Sequence, residues 1–197
     1  TGLEVVAAQV GKLVASDPKR AARLYETFLA GCYEKAEELD DSSGNFGMFV
    51  DDLYAGWIKA SQAAGADPDQ TARWLLARMD DDPYGFAYQL ERDAVKLMNR
   101  ASLAAFARQV RSRFDRKPAS GAESRRRDTG YARRRWAEVL RAIYAAQHDV
   151  AAYVALCEET ELSAQDCLAV ATLLRGKKPE EALRWVERGL ALDKKQP

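Results

Sequence analysis

Ala169 to Asp193 reads AVATLLRGKKPEEALRWVERGLALD, and these residues decide the fold. Two helical patterns meet at Gly176-Lys177-Lys178-Pro179. Glycine tolerates a left-handed helix exit, and proline suits a first helical turn, where its missing N–H is not needed. The stretch therefore predicts a helical hairpin. On its second helix, Ala182, Leu183, Trp185, Val186, Gly189 and Leu190 form an apolar stripe, while Glu180, Glu181, Arg184, Glu187 and Arg188 face away. Isolated helices of about a dozen residues are marginal in water, so this stripe needs a covering neighbour.

The same pattern extends back through the chain. Leu3, Val6, Val10, Leu13 and Val14 recur at helical spacing, then Asp17-Pro18 gives a capping aspartate followed by an N1 proline. That pair returns at Asp67-Pro68 and Asp82-Pro83 and marks further helix starts. The second helix is expected from Pro18 to about Leu39, with Ala21, Tyr25, Phe28, Leu29 and Cys32 inward. A third carries Phe49, Leu53, Gly56, Trp57 and Ala60, and a fourth Ala72, Leu75, Leu76 and Met79. A fifth, from about Tyr84, carries Phe86, Leu90, Ala94 and Leu97, and a sixth Leu103, Phe106, Val110 and Phe114. Gly31 and Gly56 each cost about 1 kcal/mol inside a helix and are read as points of close helix approach. No strand-like alternation appears. The expectation is an all-α fold of about ten helices, stacked as antiparallel hairpins.

Lys117 to Ala122 breaks the periodicity, and a polar run follows to Asp128-Thr129-Gly130 before the next helix is expected. This divides the chain into an irregular helical half at 1–117, a polar and basic linker at 118–130, and helical hairpins at 131–197. In the last part Trp136, Val139, Leu140, Ile143 and Tyr144 precede a turn at Gln147-His148-Asp149. Ala152, Tyr153, Leu156 and Cys157 follow, and Ser163 with Asp166 makes a capping-box start for the penultimate helix.

Of the 197 residues, 47% are hydrophobic and 30% charged, the composition of an ordinary folded protein. No apolar run approaches the roughly 18 residues that span a bilayer, and no leader pattern opens the chain, so a cytoplasmic setting without a membrane partner is expected. The start at Thr1 suggests a piece of a longer parent chain. Cys32, Cys157 and Cys167 form no CxxC pair and are read as small apolar core residues rather than disulfides or ligands. The formal net charge is zero. It conceals a polarity: residues 1–93 hold 17 acidic and 9 basic side chains, whereas 108–141 hold 12 basic and 4 acidic.

The closing stretch resembles the second helix of a tetratricopeptide repeat. In that likeness Ala182 is the small residue where the two helices of a repeat approach, and Gly189 is the one where the following helix packs. Trp136 and Ala152 match the aromatic wedge and small contact residue of an earlier unit. Lys194 replaces the usual closing proline, Val170 stands where a small residue is expected, and the turn is one residue longer. The segments DDSSGNFG at 40–47, DPDQTARWLLARMDDDPYG at 67–85 and GKKPEEALRWVERGLALD at 176–193 resemble an uncharacterised bacterial helical-repeat family, some members of which carry this region after a SWIM-type zinc finger. The resemblance implies a right-handed solenoid and no reaction. No zinc-finger pattern of cysteine and histidine is present in this sequence.

Three constellations merit weighing. Asp41, Ser43, Asn45 and Asp52 occupy positions 1, 3, 5 and 12 of a calcium-loop register. Phe46 stands where that loop needs glycine, so a solvated turn with capping side chains is the preferred reading. Arg125, Arg126 and Arg127 with Arg133, Arg134 and Arg135, beside Tyr131 and Trp136, form a candidate polyanion patch. A solvated or intramolecular role competes with it. Asp80, Asp81 and Asp82 supply paired carboxylates, yet no nucleophile, base and orienting group accompany them, and His148 lies beside Asp149 without a catalytic motif. No catalytic residue and no cofactor are assigned. The sequence reads as a non-enzymatic scaffold that binds a protein, a peptide or another domain of its parent chain through a concave groove. A nucleic-acid accessory module using the 125–135 arginines is the alternative.

Overall fold

The computed structural model describes residues 2–38, 44–116 and 123–194, apart from the side chains of 123–129. These residues form helices and turns, with no strand among them. In order they are α1 (Gly2–Leu13), α2 (Pro18–Lys35) with a 3-10 turn at Ala36–Glu38, α3 (Asn45–Ala63), α4 (Pro68–Asp80), α5 (Leu90–Leu97), α6 (Arg100–Phe114), α7 (Glu123–Gln147), α8 (Val150–Glu159), α9 (Ala164–Leu174) and α10 (Pro179–Asp193). The chain divides into two compact units, 1–109 and 110–197. That division falls inside α6 rather than at the polar run of 118–130. Residues 123–130 of that run are already helical, because glutamate and arginine are good helix formers and one interior glycine costs only about 1 kcal/mol.

In the first unit α2 and α3 form the principal pair. Asp17 caps α2 by accepting from the Arg20 amide at 3.1 Å, and Asp67 caps α4 by accepting from Gln70 at 2.7 Å, each ahead of an N1 proline. Asp82-Pro83 departs from this pattern. Its carboxylate accepts from the amides of Phe86 (2.9 Å) and Ala87 (2.8 Å), and from the Tyr33 hydroxyl (3.1 Å). Gly85, at φ 75°, turns the backbone out of the helical region, so the fifth helix begins at Leu90 instead of near Tyr84. Leu29, Leu53, Tyr54, Ile58, Leu75, Leu76, Met79 and Phe106 are fully enclosed. Trp57 stacks on Trp74 with ring centroids 4.0 Å apart, and its Nε1 donates to Glu26 at 2.9 Å. Those two tryptophans are packing residues, as their helical spacing suggests.

The two helix-interior glycines have different roles. A Cβ on Gly56 would overlap the Tyr25 ring, so α3 approaches α2 closely only because position 56 lacks a side chain. Around Gly31 no atom of the described residues lies within 4 Å of the place a Cβ would take, so the expected close approach is absent among them.

In the second unit Trp136, Leu140 and Ile143 of α7 are buried, as are Leu156 of α8, Cys167, Val170 and Leu174 of α9, and Ala182 of α10. Ala182, at the start of α10, packs in the cluster that holds Ala171 and Leu174, at the end of α9. Gly189, near the end of α10, meets Cys167 and Ala164 at the start of α9. The two helices are therefore an antiparallel hairpin. Gly189 packs back on α9, where a following helix had been expected. The apolar stripe of α10 is covered along one edge only: Leu183 and Leu190 remain 59% and 58% exposed. All three cysteines are buried and free, and burial pushes the thiols of Cys32 and Cys157 up to about 11, so each is an uncharged apolar filler at neutral pH.

Gly56→Ala is expected to lower stability by about 1–3 kcal/mol through overpacking on Tyr25. Gly31→Ala is expected to raise it by up to about 1 kcal/mol, since only helix propensity changes. Urea unfolding at high dilution reads both, and effects of the same sign would contradict the distinction.

Candidate functional site

The best-defined polar constellation lies where α7, α8 and α9 meet. Ser163 caps α9 reciprocally with Asp166: the Asp166 amide donates to Ser163 Oγ at 3.1 Å, while the Ser163 amide and hydroxyl donate to Asp166 Oδ2 at 3.0 and 2.7 Å. This turns the other carboxylate oxygen toward the unit's interior. Asp166 Oδ1 accepts from Arg141 Nε at 2.7 Å and from the Tyr153 hydroxyl at 3.1 Å. The same guanidinium donates through Nη1 to Glu138 and through Nη2 to Thr160 Oγ1, both at 2.9 Å. One arginine of α7 thus joins the end of α8 to the first turn of α9.

Arg141 and Asp166 have side chains only 13% and 5% exposed, so the pair is removed from water. Burial alone raises the Asp166 carboxyl, yet the Ser163 hydroxyl and amide, Arg141 and the Tyr153 hydroxyl outweigh it and hold its pKa below the ordinary value. Burial, with the adjacent Asp166 carboxylate, pushes the Tyr153 hydroxyl above its ordinary range, so it stays protonated and donating. No buried side-chain nitrogen or oxygen among the described residues lacks a hydrogen-bond partner. The network's inner groups are committed to one another.

Beside this network α7 and α9 enclose an open cleft of about 500 Å³. Glu138 and Glu161 line it together with Gln165 and the edge of Arg141, over a floor of Ala142, Ala145 and Ala169. Short floor residues and long polar walls suit hydrogen bonding to an extended chain, and the acidic excess favours a positively charged one. The Ser163–Asp166 box was legible in the sequence. Arg141 was not, since nothing local marks an arginine of α7 as the partner of an aspartate 25 residues later.

The residues singled out from sequence fare differently. Asp41 and Ser43 lie outside the described residues. Asn45 and Asp52 both lie on α3, which begins directly after Gly44 in the left-handed conformation. Seven residues of helix separate them by about 10 Å along the axis, whereas one calcium ion needs ligands at about 2.3–2.6 Å. The second half of that register is therefore helix rather than loop. No group of three or more histidine, cysteine or acidic residues suited to a metal occurs among the described residues. The side chains of Arg125, Arg126 and Arg127 are outside the described set. Arg133 lies 4.2 Å over the Phe114 ring and donates to the Glu159 carbonyl at 3.3 Å, and Arg135 sits against Trp136. Arg134 is exposed. Neighbouring arginines thus split between packing and solvent. His148 serves the backbone, adopting φ 53° in the turn before α8, which Asp149 caps by accepting from Ala152.

A family model described as a family of unknown function, DUF6880, matches residues 3–197, and the chain belongs to that family. Neither the curated proteins nor the solved structures provide a match to the chain. No helix among the described residues is long and apolar enough to cross a membrane.

Replacing Asp166 with asparagine leaves the buried Arg141 guanidinium with Glu138 as its carboxylate partner and is expected to cost about 3 kcal/mol at neutral pH. Because folding lowers this carboxyl's pKa, its contribution is complete above the unfolded value of about 4 and is lost as pH falls through the folded value. The stability gap between wild type and Asp166→Asn should therefore narrow below about pH 4. A gap that stays constant in denaturant titrations from pH 7 to pH 2.5 would contradict the ionised pair.

Proposed function

We propose that this member of DUF6880 is a non-enzymatic helical-repeat scaffold that holds an extended polypeptide segment in the cleft between α7 and α9. The observation that carries the reading is the cleft itself, about 500 Å³ of open space with an alanine floor and mixed polar walls. The antiparallel α9/α10 hairpin, with Ala182 packed on the end of α9, supports a tetratricopeptide-like arrangement in the second unit. In such an arrangement α7 and α9 are the helices that face a ligand. The segment belongs to a partner protein or to another domain of the parent chain in a cytoplasmic setting. It carries lysine or arginine, opposite Glu138 and Glu161.

The nucleic-acid reading draws less support. Arg133 and Arg135 are engaged within the second unit, and the walls of the cleft hold more acid than base. A polyanion needs the reverse.

The test is fluorescence anisotropy with labelled extended peptides of equal length, one series lysine-rich, one acidic, and a single-stranded oligonucleotide. The lysine-rich series is expected to bind, with weaker binding as salt rises. Glu138→Gln together with Glu161→Gln should lower that affinity about tenfold, equivalent to about 1.4 kcal/mol. Binding by the oligonucleotide alone, or peptide binding indifferent to both substitutions, would contradict the assignment.

A further inference from the structure

In the first unit α1 is the least covered helix. Only Val10 of its residues is buried, while Leu3, Val5 and Val6 are 46%, 62% and 53% exposed. Leu3, Val6 and Val10 recur at i, i+3 and i+7, and with Leu24 and Phe28 of α2 and Phe46 of α3 they wall an apolar cleft of about 510 Å³. A 12-residue helix with this much apolar surface facing water is poorly stabilised by its contacts with α2 and α3.

Gly31 adds an independent indication. It lines the same cleft, sits well inside α2, and has no atom of the described residues within 4 Å of the place a Cβ would occupy. Gly56 is explained by Tyr25, whereas no contact among the described residues explains Gly31. A glycine on the floor of an apolar cleft lets another helix come close to the backbone of α2.

The charges at the ends of this face specify the occupant. Lys12, Lys19, Arg20 and Arg23 are exposed about the turn from α1 to α2, and their side chains pair with no carboxylate among the described residues. Asp17 is the acid at that end, and its carboxylate caps α2. At the opposite end of α2 are Glu34, Glu37 and Glu38, with Lys35 bound to Glu38 at 2.8 Å. Arg20 and Glu34 are about 21 Å apart along the helix, so the face has a basic end and an acidic end. A two-fold axis across the cleft, with the two copies of α2 antiparallel, lays each basic end on the other copy's acidic end. A surface polarised in this way is complementary to itself.

We infer that the α1/α2 face is a homodimer interface, in which a second copy of this chain packs its own α1 and α2 against it to enclose Leu3, Val6, Leu24 and Phe28. The buried apolar residues supply the affinity and the polarised ends fix the antiparallel orientation. The interface lies in the first unit and does not depend on the peptide cleft of the second.

Sedimentation equilibrium of the full chain across concentration and salt tests this. The wild type is expected to be a dimer at micromolar concentration and to weaken with salt. Val6→Asp, at a position already half open to solvent, should keep the circular dichroism and unfolding of the monomer while raising the dimer dissociation constant at least a hundredfold. Gly31→Ala should raise it about tenfold. Arg20→Glu with Arg23→Glu makes both ends acidic, and Glu34→Lys with Glu38→Lys makes both ends basic. Each of these chains alone should be monomeric, and an equimolar mixture of the two should form a heterodimer. A wild-type monomer at all concentrations, a dimer unmoved by Val6→Asp, or a charge-reversed mixture that stays monomeric would overturn the inference. So would a cleft that takes an unrelated amphipathic helix while the chain remains monomeric.

Discussion

The second unit depends on one buried charge pair. Arg141 and Asp166 lie 2.7 Å apart, almost out of water. Desolvating two charges costs several kcal/mol apiece, so such a pair persists only when its remaining hydrogen-bonding capacity is also met. Here Thr160, Glu138, Tyr153 and Ser163 meet it. Those partners come from α7, α8, the turn after α8 and the first turn of α9, so satisfying the charges also sets where three helices stand. Apolar packing would hold the helices together without fixing their positions along one another as closely. The alanine-floored cleft lies directly beside the pair.

The first unit solves its packing differently. Tyr25 lies against Gly56, Trp57 stacks on Trp74, and Asp82 ties the turn before α5 to Tyr33 of α2. Its interior is closed by shape and by aromatic contacts, whereas α1 is left with an open apolar side. The two units therefore present surfaces of different character, one polar with an excess of acid and one apolar with charged ends. Burial makes the thiols of Cys32 and Cys157 harder to ionise, opposite to what a nucleophile needs.

What was legible in the sequence was mostly local. Helical periodicity, the Asp17-Pro18 and Asp67-Pro68 starts and the Ser163–Asp166 capping box involve residues within four positions of one another, and the backbone determines their contacts. Features that depend on a distant partner were not legible. Gly31 and Gly56 look alike in sequence, and only the position of Tyr25 separates them. Asp82-Pro83 resembles its two counterparts, but its carboxylate is taken by Tyr33 and by amides beyond Gly85. The calcium-loop spacing around Asn45 and Asp52 is a matter of composition that the helix after Gly44 overrides. Arg141, the centre of the candidate site, stands in an arginine-rich stretch, where its neighbours drew attention to net charge rather than to one pairing.

The central claim is that the Arg141–Asp166 pair positions α7, α8 and α9 and so forms the cleft in advance of any ligand. A double-mutant cycle with Arg141→Met and Asp166→Asn measures this directly from unfolding free energies. A coupling of about 2–3 kcal/mol is expected for two residues that share one network. Additivity within about 0.5 kcal/mol would contradict the claim, because independent residues cannot hold three helices in register.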